Sequence, residues 1–132
     1  MPVLIDTNII LDCLQENSQW AEWSATQMSR YSPDGLLINP MIYSELCVPE
    51  ESHQTIDAVL KIFDLNYVEI PRNALFLAAK AFIQYRKRGG TITAPLPDFF
   101  IGAHAQAGGY SIMTRDKGRY STYFPEVPLI MP

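Results

Sequence analysis

Histidine and cysteine are nearly missing from this chain, with two of each among 132 residues. Cys13 and Cys47 are too few for a zinc site, and neither has a histidine at ligand spacing. Two isolated thiols beside apolar residues read as buried, unbridged cysteines in a reducing cytoplasm. His53 follows a residue that can cap a helix and reads as a surface side chain. His104 lies six positions after Asp98, a spacing that does not put the two on one helix face. Neither histidine is placed as a general base. No Ser/His/Asp or Cys/His constellation is present, so nucleophilic catalysis of those kinds is excluded.

Long apolar runs are also lacking. None reaches the roughly 18 residues of a membrane span, and the longest helical apolar stretch, Ala74 to Ile83, contains Lys80. The N-terminus is apolar, but it has no basic segment and Asp6 interrupts it, so it is not expected to act as a signal peptide. Repeats, linkers and low-complexity segments are absent, and one domain over residues 1–132 is expected. These absences predict a cytoplasmic protein that does not associate with membranes.

Positive charge is scarce overall, with ten Lys and Arg against fourteen Asp and Glu. Its distribution matters more than its sum. Between Lys80 and Arg119 lie seven basic residues and two acids, whereas the rest of the chain holds three basic residues and twelve acids. A phosphate backbone would be drawn to that segment.

What is present is an alternation of short apolar runs with helical patterns. Pro2 to Ile5 suits a fully buried parallel strand, with Thr7 or Asn8 capping a helix through Leu14. A second helix is expected from about Trp20 to Ser32, ended by the turn Ser32-Pro33-Asp34-Gly35. Leu36 to Ile38 is the next strand, and Pro40 opens a helix that Pro49 ends. Ser52 caps a helix carrying Ile56, Val59, Leu60 and Phe63, and Asn66 to Ile70 follows as a strand. The longest helix spans Arg72 to Arg88, with Leu75, Ala78, Ala79, Phe82 and Ile83 as its apolar stripe, and Gly89-Gly90 stops it. After a loop from Thr91 to Pro95, Pro97 starts a helix that ends at Gly108-Gly109. Tyr110 to Thr114 and Leu129-Ile130 complete a set of four to five strands. The pattern predicts a three-layer α/β/α domain around a central parallel sheet.

Four carboxylates fall at the ends of these segments: Asp6, Glu45, Asp98 and Asp116. Each has an ordinary reading when taken alone, as a cap, a surface acid, a helix-terminus acid and a turn acid. Together they can meet at one edge of the sheet, because ligands of open parallel sheets bind beyond the carboxyl ends of the strands. Clustered carboxylates repel, and a hard divalent cation, Mg2+ or Mn2+, is the usual means of keeping them ionised together.

The motifs that carry these acids are Leu4-Ile5-Asp6-Thr7-Asn8-Ile9-Ile10-Leu11, Ile42-Tyr43-Ser44-Glu45-Leu46, Leu96-Pro97-Asp98-Phe99-Phe100-Ile101-Gly102-Ala103-His104-Ala105 and Met113-Thr114-Arg115-Asp116-Lys117-Gly118. In this order they resemble PIN-domain ribonucleases, in particular the VapC toxins of toxin–antitoxin pairs. The resemblance implies a PIN-like fold and an acidic quartet of Asp6, Glu45, Asp98 and Asp116 that binds Mg2+ or Mn2+. It also implies that Asn8 and Thr114 support the site, that RNA is the substrate, and that a cognate antitoxin and a homodimer are the partners. Arg86, Arg88 and Arg115 are candidates for phosphate contact. Two other readings compete. One is a non-catalytic PIN-like module that binds RNA or protein. The other is a haloacid-dehalogenase-like phosphatase, which usually has a second aspartate where this chain has Asn8.

Overall fold

The structure is a computed structural model that describes residues 1–15, 17–93 and 96–132. Among these residues, five short strands form one wholly parallel sheet: β1 (Val3–Ile5), β2 (Leu36–Ile38), β3 (Leu65–Tyr67), β4 (Ser111–Met113) and β5 (Leu129–Ile130), in the order β3-β2-β1-β4-β5. All nine residues of β1, β2 and β4 are buried, as expected of strands covered on both faces. Each large apolar side chain there contributes on the order of 1.5–3 kcal/mol by leaving water.

The connecting helices are α1 (Thr7–Leu14), α2 (Ala21–Tyr31), α3 (Pro40–Cys47), α4 (His53–Ile62), α5 (Arg72–Lys87), α6 (Pro97–Gly108) and α7 (Gly118–Tyr123). The chain runs outward from β1 through β2 to β3, then crosses back to β4 on the other side of β1. Parallel crossovers are right-handed, so this reversal puts α1–α4 and α5–α7 on opposite faces and gives three layers. The reversal between β1 and β4 is a topological switch point, where open α/β sheets leave a crevice.

Several expected boundaries move. α2 ends at Tyr31 because Ser32–Asp34 forms a 3-10 turn closed by Gly35 at φ +96°, a backbone conformation that glycine adopts without strain. The strand expected over Asn66–Ile70 is Leu65–Tyr67, at the sheet edge. α7 was not expected. The predicted loop over Thr91–Pro95 lies partly outside the described residues, at 94 and 95.

The buried face of α5 also differs from expectation. It is Ala74, Ala78 and Ala81, while Leu75 and Ile83 are 41% and 42% exposed. The alanines let α5 lie close against α6, and the larger Leu77, Phe82 and Tyr85 fill the flanks. Cys13 and Cys47 are free but only half-buried, less enclosed than their apolar neighbours implied.

Candidate active site

Asp6 is the residue after β1, and it caps α1. Its Oδ1 accepts the Thr7 N–H at 2.8 Å, so the acid itself is the cap that had been expected of Thr7 or Asn8. That frees the Thr7 hydroxyl, which donates to Glu45 Oε1 at 3.0 Å. Asp6 Oδ2 accepts the Thr114 hydroxyl at 2.8 Å, the Tyr120 hydroxyl at 3.1 Å and the Asn8 side-chain amide at 3.4 Å. Asp6 is 7% exposed, and all of these donors are neutral.

Burial is the largest influence on the Asp6 carboxyl and holds it above the usual range. The hydrogen bonds from Thr114, Thr7 and Tyr120 pull it down, and the Asp98 charge adds to the rise. Burial, then the charges of Asp6 and Asp98, push the Tyr120 hydroxyl far up, so it stays a donor.

Glu45 comes from α3, which Asn39 caps by accepting the N–H groups of Met41 and Ile42, each at 3.1 Å. With its oxygen so used, the Asn39 amide nitrogen donates to His104 Nδ1 at 3.2 Å. His104 is 3% exposed, and burial lowers its affinity for a proton, so it is a neutral strut between α3 and α6. It therefore sets the helix of Glu45 against the helix of Asp98. Burial is also the first cause that raises the Glu45 carboxyl, ahead of Asp6 and Asp98, while the Thr7 hydroxyl opposes it.

Asp98 stands in the first turn of α6. Burial raises its carboxyl, Arg119 lowers it at 3.5 Å, and Asp116 raises it. Asp116 follows β4 in an exposed turn. Its N–H donates to the Thr114 hydroxyl at 3.0 Å. A Cβ at Gly118 would meet Asp116 Oδ1 at 2.9 Å, so the glycine leaves the Asp116 carboxylate in its present orientation.

The four acids thus reach one end of the sheet from β1, α3, α6 and the turn after β4. Asn8 joins two of these pieces: its amide nitrogen reaches Asp6 and Thr114, and its oxygen accepts the Arg115 N–H at 3.2 Å. The only donor atoms on the four acids are oxygens, which suits Mg2+ or Mn2+. Among the described residues, no three acidic, histidine or cysteine side chains stand in a coordinating arrangement as they are. Asp98 is turned to Arg119, Glu45 to Thr7 and Asp6 to its neutral donors.

The three arginines considered for phosphate contact have different fates. Arg115 is bound to Asp12 through Nε at 2.6 Å and Nη2 at 3.0 Å, which gives it a structural role. Arg86 donates to the carbonyls of Gly90 and Ile92 at the end of α5. Arg88 lies 5.2 Å from the centre of the Tyr123 ring. Sequence reasoning gave no individual site role to Thr7, Asp12, Asn39, Arg119 or Tyr120. Thr7 belongs to a quoted motif and was read only as a cap. The other four act across the fold, from residues distant in sequence.

Among the described residues, acids gather at the switch point of a wholly parallel sheet with no nucleophile–base pair beside them, an arrangement that suits an α/β domain of nuclease type. The PIN domain family model matches residues 3–125, and the chain belongs to this family of nucleases. Membership removes the phosphatase alternative. No curated protein sequence matches the chain.

Among solved structures, the fold is similar to that of VapBC2 from Rickettsia felis bound to a DNA fragment from its promoter. The TM-score is 0.75 and the identity 16%, with 99% of this chain and 98% of that chain covered. It is similar to FitAcB from Neisseria gonorrhoeae, with TM-score 0.74, 17% identity and coverages of 97% and 96%. It is also similar to VapC20 of Mycobacterium tuberculosis, a toxin that cleaves the sarcin–ricin loop, with TM-score 0.62, 11% identity and coverages of 91% and 94%. At these identities the likeness is one of fold. Among the described residues, no helix is long and apolar enough to cross a membrane.

Proposed function

We propose that this chain, acting as one domain, is a metal-dependent endoribonuclease of the VapC type, the toxin of a toxin–antitoxin pair. The observation that carries the reading is Asp6. It is a buried carboxylate with neutral donors only, set among three further acids at the switch point of the sheet. Family membership supports nuclease chemistry, and the toxin–antitoxin complexes among the structural neighbours support the toxin assignment. The partners that follow are RNA, a small antitoxin and a second copy of the chain, in the cytoplasm.

Asp6, Glu45, Asp98 and Asp116 would hold Mg2+ or Mn2+, which supplies an activated water and offsets charge on the phosphoryl oxygens. The chain's own residues do the rest. Thr114 and Tyr120 fix the Asp6 carboxylate through donated hydroxyl protons. Thr7 orients Glu45, and Asn8 keeps the Asp116 turn against α1. An antitoxin can silence such a cleft by entering it with a cationic side chain paired to the carboxylates.

Purified protein should cleave synthetic RNA with Mg2+ or Mn2+ and stop in EDTA. Undiminished cleavage in excess EDTA would remove the metal from the mechanism. No cleavage under any metal would favour the non-catalytic module.

A further inference from the structure

Beside the four acids lies an open cleft of about 340 Å3, lined by Tyr85, Asp98, Asp116, Arg119, Thr122 and Tyr123. Two guanidinium groups are held over its aromatic wall. Arg119 lies 5.4 Å from the centre of the Tyr85 ring and 5.8 Å from that of Phe99, and Arg88 lies 5.2 Å from that of Tyr123. The Tyr85 and Tyr123 rings are 6.5 Å apart and both line the cleft; Arg119 lines it as well, while Arg88 meets it through the Tyr123 ring, at its edge. A guanidinium over a ring face keeps its charge and its planar fork while its stem is ordered in advance.

Neither cation is used up by the fold. Among the described residues Arg119 has one acid partner, Asp98, at 3.5 Å, and the two side chains are 32% and 36% exposed. A long, single, solvated pair of that kind contributes little. Arg88 pairs with no carboxylate among the described residues. The contrast with Arg115, bound twice by a buried aspartate, and with Arg86, bound to two carbonyls, is direct.

We propose that this cleft is a phosphate subsite for the RNA strand. It takes a backbone phosphate next to the bond cut at the acidic cluster, with Arg119 and Arg88 as its ligands. The proposal rests on the ribonuclease reading and adds the place where the strand is held. Arg119 exchanges Asp98 for the phosphate when the strand arrives. The Asp98 carboxylate is thereby released on the side of the acidic cluster, so strand binding and site assembly are coupled.

The test is fluorescence anisotropy with a labelled RNA tetranucleotide, in EDTA and at low salt so that nothing is cut. Arg119→Gln and Arg88→Ala should each weaken binding on the order of 5–20-fold and flatten the salt dependence by about one phosphate contact. Arg119→Lys should keep the salt slope but not the full affinity, because it retains charge without the fork. Arg86→Ala removes an equal charge two positions from Arg88 in the chain and should change affinity less than about 2-fold, within the scale of a solvated charge. Equal losses in Arg86→Ala and Arg88→Ala would reduce the effect to diffuse charge and overturn the subsite. Wild-type affinity in both Arg119→Gln and Arg88→Ala, or no binding by the wild type, would overturn it as well. A melt with Mn2+ keeps the two levels apart. If the wild type cuts RNA and gains stability from Mn2+ while the arginine variants bind normally, only the subsite falls. If the wild type neither cuts RNA nor responds to Mn2+, the ribonuclease reading falls, whatever the arginines do.

Discussion

Two aspartates six positions apart, Asp6 at the head of α1 and Asp12 near its end, are both buried, and their surroundings are opposite. Asp12 is 3% exposed and is held by two nitrogens of Arg115, by the Ser18 hydroxyl at 3.1 Å and by the Ser24 hydroxyl at 3.0 Å. Its charge is answered inside the fold. Asp6 is almost as buried, yet among the described residues every donor that touches it is neutral, and the charge that weighs on it is that of another acid, Asp98. A buried carboxylate without a cation is costly. A protein that tolerates one at a switch point, beside three more acids, leaves that charge to be answered from outside. On the proposed reading, the difference separates a structural acid from a functional one better than burial does.

The largest effect should come from Asp6. Asp6→Asn keeps the Thr7 cap through its carbonyl oxygen and leaves Thr114 and Tyr120 able to turn their hydroxyls. Cleavage of RNA should nevertheless fall on the order of 10^2–10^4-fold, the range for a group acting at the reacting atoms. Growth arrest on expression in bacteria should disappear with it. Wild-type cleavage by the variant would place Asp6 with Asp12, as a structural acid only.

Asp12→Asn should do the reverse. Removing one partner of a buried ion pair strands the other charge, at a cost of up to about 3–5 kcal/mol. The lower half of that range is expected, because Arg115 is 31% exposed. The midpoint in urea should drop, while cleavage per folded molecule should be retained within about 10-fold, a change of about 1.4 kcal/mol in the barrier. Arg115 also ties the Asp116 turn to α1, so the loss in rate is not expected to be zero. A stable Asp12→Asn variant with no activity would dissolve the distinction.

Much of this was legible from the sequence, and the reasons are physical. Strands buried on both faces must be continuously apolar, so Val3–Ile5, Leu36–Ile38 and Ser111–Met113 were found within one residue at each end. Caps, prolines and Gly-Gly marked the helix ends. The four acids were visible because each ends an apolar segment. What was not legible depends on which residues meet across the fold. That Arg115 pairs with Asp12 and that Asn39 joins His104 are pairings between distant positions, whereas the cap at Asp6 is local and turns on which of three successive polar residues faces the helix end. The stripe of α5 holds at Ala78 and Phe82 and fails at Leu75 and Ile83 for a related reason. Leu75 and Ile83 are more apolar than alanine, but the tight packing against α6 selected the small face.

The smallest effect, and the one that sharpens the comparison most, is the pH dependence of the metal-free fold. Burial and mutual repulsion hold the carboxyls of Asp6, Glu45 and Asp98 above their ordinary values of 3.8, 4.5 and 3.8. In the unfolded chain they return to those values. The folded state therefore binds more protons in the interval between, and the stability from these groups is fully present below the ordinary values and lost as pH rises through the raised ones. In EDTA, the melting temperature should rise as pH falls from neutral towards that interval, on the order of a few degrees, since 1 kcal/mol moves a domain of this size by roughly 3–5 °C. Asp57 opposes this, because Tyr43 and His53 hold its exposed carboxyl below the usual range. The difference between wild type and Asp6→Asn isolates the cluster: the amide variant should melt higher at neutral pH and gain less on acidification. With Mn2+ the wild-type trend should invert, because protons compete with the cation for the same oxygens. If the wild type and Asp6→Asn have parallel profiles in EDTA, the Asp6 charge carries no penalty and is already answered within the fold, as Asp12 is.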